Sequence, residues 1–135
     1  MLVTDDDMNA RELLAVVLEN ASAEVRAASS ADDALMILQT WTPDILISDI
    51  EMPGEDGYRL IEKARRLLGG RRRLIAIAVT AHARLEDRAR ALAAGFEWHL
   101  AKPIDPGELI SVISALVVQE KGLEDFSPSP SPTIN

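Results

Sequence analysis

The stretch Asp44-Ile45-Leu46-Ile47-Ser48-Asp49-Ile50-Glu51-Met52-Pro53-Gly54-Glu55-Asp56-Gly57 decides the fold. Ile45, Leu46 and Ile47 form an apolar run of β-forming residues too short for a helix. Asp49 stands where that run stops. Pro53, Gly54 and Gly57 punctuate a loop, and Tyr58-Arg59-Leu60-Ile61 opens a helical pattern. A strand that is apolar on both faces belongs inside a parallel sheet covered by helices. Ligands of such sheets bind in the crevice beyond the carboxyl ends of the strands. Asp49 is placed at such an end, although an Asp there also commonly just starts a turn.

Working outward, the same alternation of strand and helix recurs. Towards the N-terminus, Leu2-Val3-Thr4 is a short strand running into Asp5-Asp6-Asp7. From Asn9 a helical stripe follows, made of Leu13, Leu14, Val17, Leu18 and Ala21. Residues 24–28 alternate polar and apolar, as an edge strand does. Ser30 is placed to cap a second helix whose stripe is Ala31, Ala34, Leu35 and Leu38, and Pro43 blocks its continuation.

Towards the C-terminus, Leu60, Ile61, Ala64, Leu67 and Leu68 line a third helix ended by Gly69-Gly70. Residues 74–79 are the most apolar run and end on Thr80. Leu85, Ala89, Leu92 and Ala93 have helical spacing and are expected to face the core, with Gly95 as the terminating residue. Trp98-His99-Leu100-Ala101 reads as a fifth strand ending on Lys102-Pro103. Asp105-Pro106 opens a last helix with the stripe Leu109, Ile110, Ile113, Leu116 and Val117. Strand followed by helix five times over predicts an α/β fold: a doubly wound five-stranded parallel sheet in the order 2-1-3-4-5, with the switch point between strands one and three. The ordered domain is expected over residues 1–121. Residues 122–135, with three Ser-Pro repeats, read as a disordered tail.

Composition narrows the function. At 135 residues and 47% hydrophobic, the chain forms one domain with a full core. A net charge of -8 argues against direct nucleic-acid binding. Arg71-Arg72-Arg73 is the one basic cluster and reads as a solvated loop. The absence of cysteine excludes disulfides, thiolate zinc sites and Cys nucleophiles, and two histidines cannot build a His-rich metal site. No apolar run is long enough to span a membrane and no signal peptide is evident, so a soluble cytoplasmic protein is expected.

The chemistry gathers at the strand ends: Asp5 and Asp6 on the first, Asp49 on the third, Thr80 on the fourth, Lys102 on the fifth. In a parallel sheet these ends share one edge, and the switch point makes the first and third neighbours there. Crowded carboxylates repel, and a divalent cation resolves that. Hard oxygen ligands suit Mg²⁺, which pairs well with phosphoryl oxygens. A Lys and a Thr hydroxyl at the same edge complete a site for a phosphoryl group, and a carboxylate can accept one covalently. Each residue alone has a bland reading as turn, structural hydroxyl or surface lysine. Their joint placement on four strand ends favours the site.

In combination, Leu-Val-Thr-Asp-Asp-Asp at 2–7, Ser-Asp-Ile-Glu-Met-Pro-Gly-Glu-Asp-Gly at 48–57, Val-Thr-Ala at 79–81 and Ala-Ala-Gly-Phe-Glu-Trp-His-Leu-Ala-Lys-Pro-Ile at 93–104 resemble the receiver domain of two-component response regulators, with its flavodoxin-like fold. The resemblance covers roughly residues 1–120. It implies that Asp49 is the phosphoacceptor, that Asp6 ligates Mg²⁺ directly and Asp5 directly or through water, and that Glu51 offers its backbone carbonyl. It further implies that Thr80 and Lys102 hold phosphoryl oxygens, that the Lys102-Pro103 bond is cis, and that Thr80 and the residue at position 99 act as the switch. That last residue is usually aromatic in the family and is His99 here.

The implied partner is a histidine kinase or phosphotransfer protein, with slow self-dephosphorylation afterwards and an unassigned downstream target. A homodimer through the face of the fourth and fifth helices is a candidate assembly. The start at strand one and the Ser-Pro tail favour the C-terminal receiver of a hybrid sensor kinase over a stand-alone receiver. Two alternatives stay open: a Mg²⁺-dependent aspartyl-phosphate phosphatase, and a degenerate receiver that only binds partners.

Overall fold

The computed structural model describes residues 1–69, 73–82 and 84–126, with side chains described as far as residue 119. Five strands, β1 (Leu2–Thr4), β2 (Arg26–Ala28), β3 (Ile45–Asp49), β4 (Ile75–Thr80) and β5 (Trp98–Ala101), alternate with α1 (Met8–Asn20), α2 (Ala31–Thr40), α3 (Gly57–Leu68), α4 (Leu85–Ala94) and α5 (Pro106–Phe126). All strand pairs are parallel and the sheet order is β2-β1-β3-β4-β5. This is the doubly wound parallel sheet, in the order 2-1-3-4-5, that the strand-helix alternation predicts.

Alternation along the strands divides the core into two layers. Val3, Ile45, Ile47, Ile77, Val79 and Leu100 pack against Leu14 and Leu18 of α1 and Leu109 and Ile113 of α5. Leu2, Leu46, Ala76 and Ala78 pack against α2, α3 and α4 through Ala34, Leu38, Leu60, Ile61, Ala64 and Ala91. Each fully buried Leu or Ile contributes about 2 kcal/mol of transfer free energy. The five consecutive buried residues of β3 therefore lock this strand into the centre of the sheet.

The ends of the elements follow local chemistry. Asp7 caps α1, its carboxylate accepting from Asn9 N at 3.0 Å. Ser30 Oγ accepts from Asp33 N at 3.1 Å, and Asp56 Oδ1 accepts from Arg59 N at 3.0 Å. Gly69 and Gly95 end α3 and α4 with φ of 61° and 121°, conformations that favour glycine.

Four sequence expectations need correction. In α1, Leu14 and Leu18 are buried, but Leu13 and Ala21 are exposed. The second strand spans only Arg26–Ala28, and of it only Ala28 is buried. The stripe expected to bury α4 is on the outside: Leu85 is 83% exposed, Leu92 is 50% exposed, and Ala89 and Ala93 are exposed. α4 packs through Ala91 and Ala94 onto a layer containing Ala76 and Ala78. Helix and sheet meet there through small side chains, and the larger apolar residues are left facing away. Finally, α5 continues to Phe126, so the boundary expected at residue 121 falls inside a helix. Gln-Glu-Lys at 119–121 and Leu-Glu-Asp at 123–125 are compatible with its continuation. The Ser-Pro repeats and Arg71-Arg72 lie outside the described residues.

Candidate functional site

The register of the sheet brings the loaded strand ends together. Leu2, Val3 and Thr4 pair with Leu46, Ile47 and Ser48, which sets the residues after β1 beside Asp49. Asp49 is opposite Val79 of β4, and Thr80 is opposite Ala101, one residue before Lys102. The Lys102 N–H donates to Thr80 O at 2.8 Å and so extends the β4–β5 pairing. The Lys102-Pro103 peptide is cis.

The site is acidic, with one cation inside it. Asp5 and Asp49 are buried, at 1% and 6% exposure, and Asp6 is exposed at the rim. One carboxylate oxygen from each of the three lies within 4.8 Å of the others. Lys102 Nζ is 3.2 Å from Asp5 Oδ2 and 3.2 Å from Asp49 Oδ2. Asp5 is oriented by its other oxygen, which accepts from Asp7 N at 2.9 Å. Its Oδ2 meets Lys102 only as an ion contact and has no well-directed hydrogen bond. A buried carboxylate oxygen lacking a full partner, in a cluster of hard oxygen donors, fits a divalent cation of the Mg²⁺ type.

Electrostatics follow from the crowding. Burial, then the neighbouring charge of Asp5, push the Asp49 carboxyl up to about 6, against the opposing pull of Lys102 and the backbone N–H of Glu51. Burial by itself would lower Lys102. Its contacts with Asp5 and Asp49 outweigh that and leave its pKa raised. Lys102 therefore stays cationic at neutral pH and partly neutralises the pair of acids.

The other predicted residues surround this centre. Thr80 is buried, and its Oγ1 accepts from His82 N at 3.1 Å. Glu51 is exposed on the loop after β3, and its Oε2 lies 3.1 Å from His82 Nε2, bridging the loops that follow β3 and β4. A cavity of about 690 Å³ opens beside them, lined by Met52, Tyr58, Thr80, His82 and Arg90 among others. His99 stands apart from the acids. It is buried on β5, whereas the resemblance implies a side chain that turns inward only on phosphorylation.

Several positioning residues were missed in the sequence. Gly57 read as loop punctuation, yet its N–H donates to Ile50 O at 2.8 Å. A Cβ on Gly57 would stand 2.5 Å from Asp49 O and 2.9 Å from Ile50 Cα, so only glycine lets the start of α3 close against the end of β3. Asp49-x7-Gly57 spacing is a signal that could have marked it. Arg11 Nη1 donates to Asp5 O at 2.8 Å and ties α1 to the acidic loop. No pattern in the sequence announces that contact.

Similarity to known proteins agrees with this arrangement. The response regulator receiver domain family matches residues 1–114. An uncharacterised 14.6 kDa protein from the sodA1 3′ region of Leptolyngbya boryana is 47% identical over 113 residues, covering 84% of this chain and 86% of that protein. The sensor histidine kinase RcsC of Salmonella typhimurium is 38% identical over 104 residues, and the match covers 77% of this chain but only 11% of the kinase. The crystal structure of a CheY-like receiver domain protein from Methanospirillum hungatei superimposes with a TM-score of 0.80 at 29% identity, covering 89% of this chain and 94% of that one. The chain belongs to the response regulator receiver domain family of two-component systems.

Proposed function

We propose that this receiver is a phosphoaccepting switch in which Asp49 takes a phosphoryl group from a phosphohistidine of a histidine kinase or phosphotransfer protein. A carboxylate oxygen of Asp49 attacks phosphorus as the N–P bond breaks. The electron pair stays on the histidine ring, which takes up a proton, and an acyl phosphate forms on Asp49. The observation that carries this reading is the buried Asp49 carboxylate held beside Asp5 and 3.2 Å from Lys102 Nζ.

Asp5, Asp6, Asp49 and the Glu51 carbonyl are the groups that would hold Mg²⁺, whose charge would offset that of the phosphoryl oxygens. The part of the chain itself is positioning and charge balance. Lys102 supplies a fixed cation for a phosphoryl oxygen. Among the described residues, the Thr80 hydroxyl is engaged as an acceptor from His82 N, which leaves its proton for donation. Attack requires the anion of Asp49, and a carboxyl near 6 is mostly ionised at neutral pH.

An apolar groove of about 460 Å³ runs from Lys102 and Pro103 to Leu13 and Ala10 of α1 and supports docking of a phosphodonor helix there. Exposed Leu85 and Leu92 of α4, with half-exposed Trp98 of β5, support that side as the face for a second copy.

The test is intact-mass spectrometry after incubation with acetyl phosphate. Wild type should gain one phosphoryl group with Mg²⁺ and none with a chelator, and Asp49→Asn should gain none. An equal adduct on Asp49→Asn would refute the assignment.

A further inference from the structure

His99 is a buried titratable side chain that the phosphoryl chemistry leaves unused. It is 4% exposed, and its Nε2 has no hydrogen-bond partner among the described residues. On β5 it sits opposite Ala78 of β4. Leu100 faces the α1 and α5 layer, so alternation points His99 to the side of α4. The charges it meets come from α4: Arg88, which disfavours the imidazolium, and Asp87, which favours it. Arg88 is held over the ring of the neighbouring Trp98, 5.8 Å from its centroid. Asp87 is engaged at the start of α4, where its Oδ2 accepts from Arg84 N at 3.3 Å.

Among the described residues, no other element supplies a compensating charge. β4 carries no ionisable side chain, and His99 is the only one on β5. On α3, Tyr58 lies beneath Arg90, and Arg65 is tied to Gly95 O and Glu97. Burial, then Arg88, lower the pKa of the His99 ring. The helix it supports is thinly attached, since Ala91 is the only fully buried residue of α4.

We propose that His99 is a proton-operated plug beneath α4: the neutral ring packs α4 onto β5, and the imidazolium leaves the core and loosens α4. A cation in this place has no carboxylate free to pair with it and a guanidinium close by, so hydration outside the sheet is its better alternative. The sign follows. The folded pKa lies below the ordinary value, so the packed state is fully favoured above pH ~6.5 and is lost as the pH falls from there through the lowered pKa. The inference needs no phosphorylation. Its consequence, that acid weakens communication from Thr80 to α4, rests on the proposed phosphoacceptor role.

Asp49 titrates in the same window, so the test uses Asp49→Asn as the background. Hydrogen exchange of residues 85–94, corrected for the intrinsic rate, is followed from pH 8 to pH 5. Protection should fall by up to about tenfold for each pH unit below ~6.5. Adding His99→Phe should abolish that slope. Independently, the ring of His99 is titrated by NMR in the wild type, with His82→Gln used to assign the two histidine signals. It should titrate below ~6.5. A ring that titrates at or above that value, flat protection of α4, or the same slope with and without His99 would each overturn the proposal. If the Phe variant fails to fold, the ring titration and the slope in the Asp49→Asn background still decide it. None of these readings needs an acyl phosphate, so they stand or fall separately from the phosphoacceptor assignment.

Discussion

Replacing Asp49 with Asn should make the metal-free protein more stable at neutral pH while it abolishes phosphorylation. The Asp49 carboxyl is raised from 3.8 to about 6 by burial and by Asp5. A group whose folded pKa exceeds its unfolded one binds more protons in the folded state, so stability falls as the pH rises through that interval. Above it, ionised Asp49 costs up to about 3 kcal/mol, from roughly two pKa units at ~1.4 kcal/mol each. Asn removes this cost but also the 3.2 Å contact with Lys102, which then retains only Asp5. A net gain of about 1–2 kcal/mol is expected, which in a domain of this size raises Tm by about 5 °C. The assay is calorimetry in a chelating buffer at steps from pH 5 to pH 8. The difference between variant and wild type should be largest at pH 8 and shrink towards pH 5, which lies between the folded and unfolded pKa values, so that part of the cost remains there. Added Mg²⁺ should narrow the gap at neutral pH, because a cation held by the folded acids stabilises the wild type. A gap that is absent, or that does not change with pH, would refute the raised carboxyl on which the reasoning rests.

Gly57→Ala should destabilise the protein by about 1–3 kcal/mol in urea unfolding, because the new Cβ meets backbone atoms of Asp49 and Ile50 that cannot move aside without shifting the site. Acetyl phosphate should label that variant more slowly than wild type, and unchanged stability and labelling would show that the β3–α3 junction is pliable. Arg65→Ala should cost about 1–2 kcal/mol in the same assay, since Arg65 serves Leu74 O, Gly95 O and the Glu97 carboxylate at once. Glu97→Gln should cost less, because an amide oxygen can still accept from Ala76 N as the carboxylate does at 2.7 Å; equal losses would place the weight on charge instead.

Local chemistry carried most of the architecture. Ser30, Gly69, Gly95 and Asp105-Pro106 mark helix ends because capping and positive φ depend on one residue and its near neighbours. The apolar runs at Ile45–Asp49 and Ile75–Thr80 declare central parallel strands, because residues buried on both faces cannot alternate. Once the strands are parallel, Asp5, Asp49, Thr80 and Lys102 must share an edge, so the composition of the site was also legible.

Contacts between distant segments were not legible. Periodicity finds the apolar stripe of α4, yet helix and sheet meet there through Ala91, Ala76 and Ala78, leaving Leu85 and Leu92 outside. Only the fold brings backbone carbonyls to Arg11 and Arg65. The acidity of Asp49 is likewise tertiary. Its elevation comes from burial in β3 and from Asp5, forty-four residues earlier, and both exist only when β1 and β3 lie side by side.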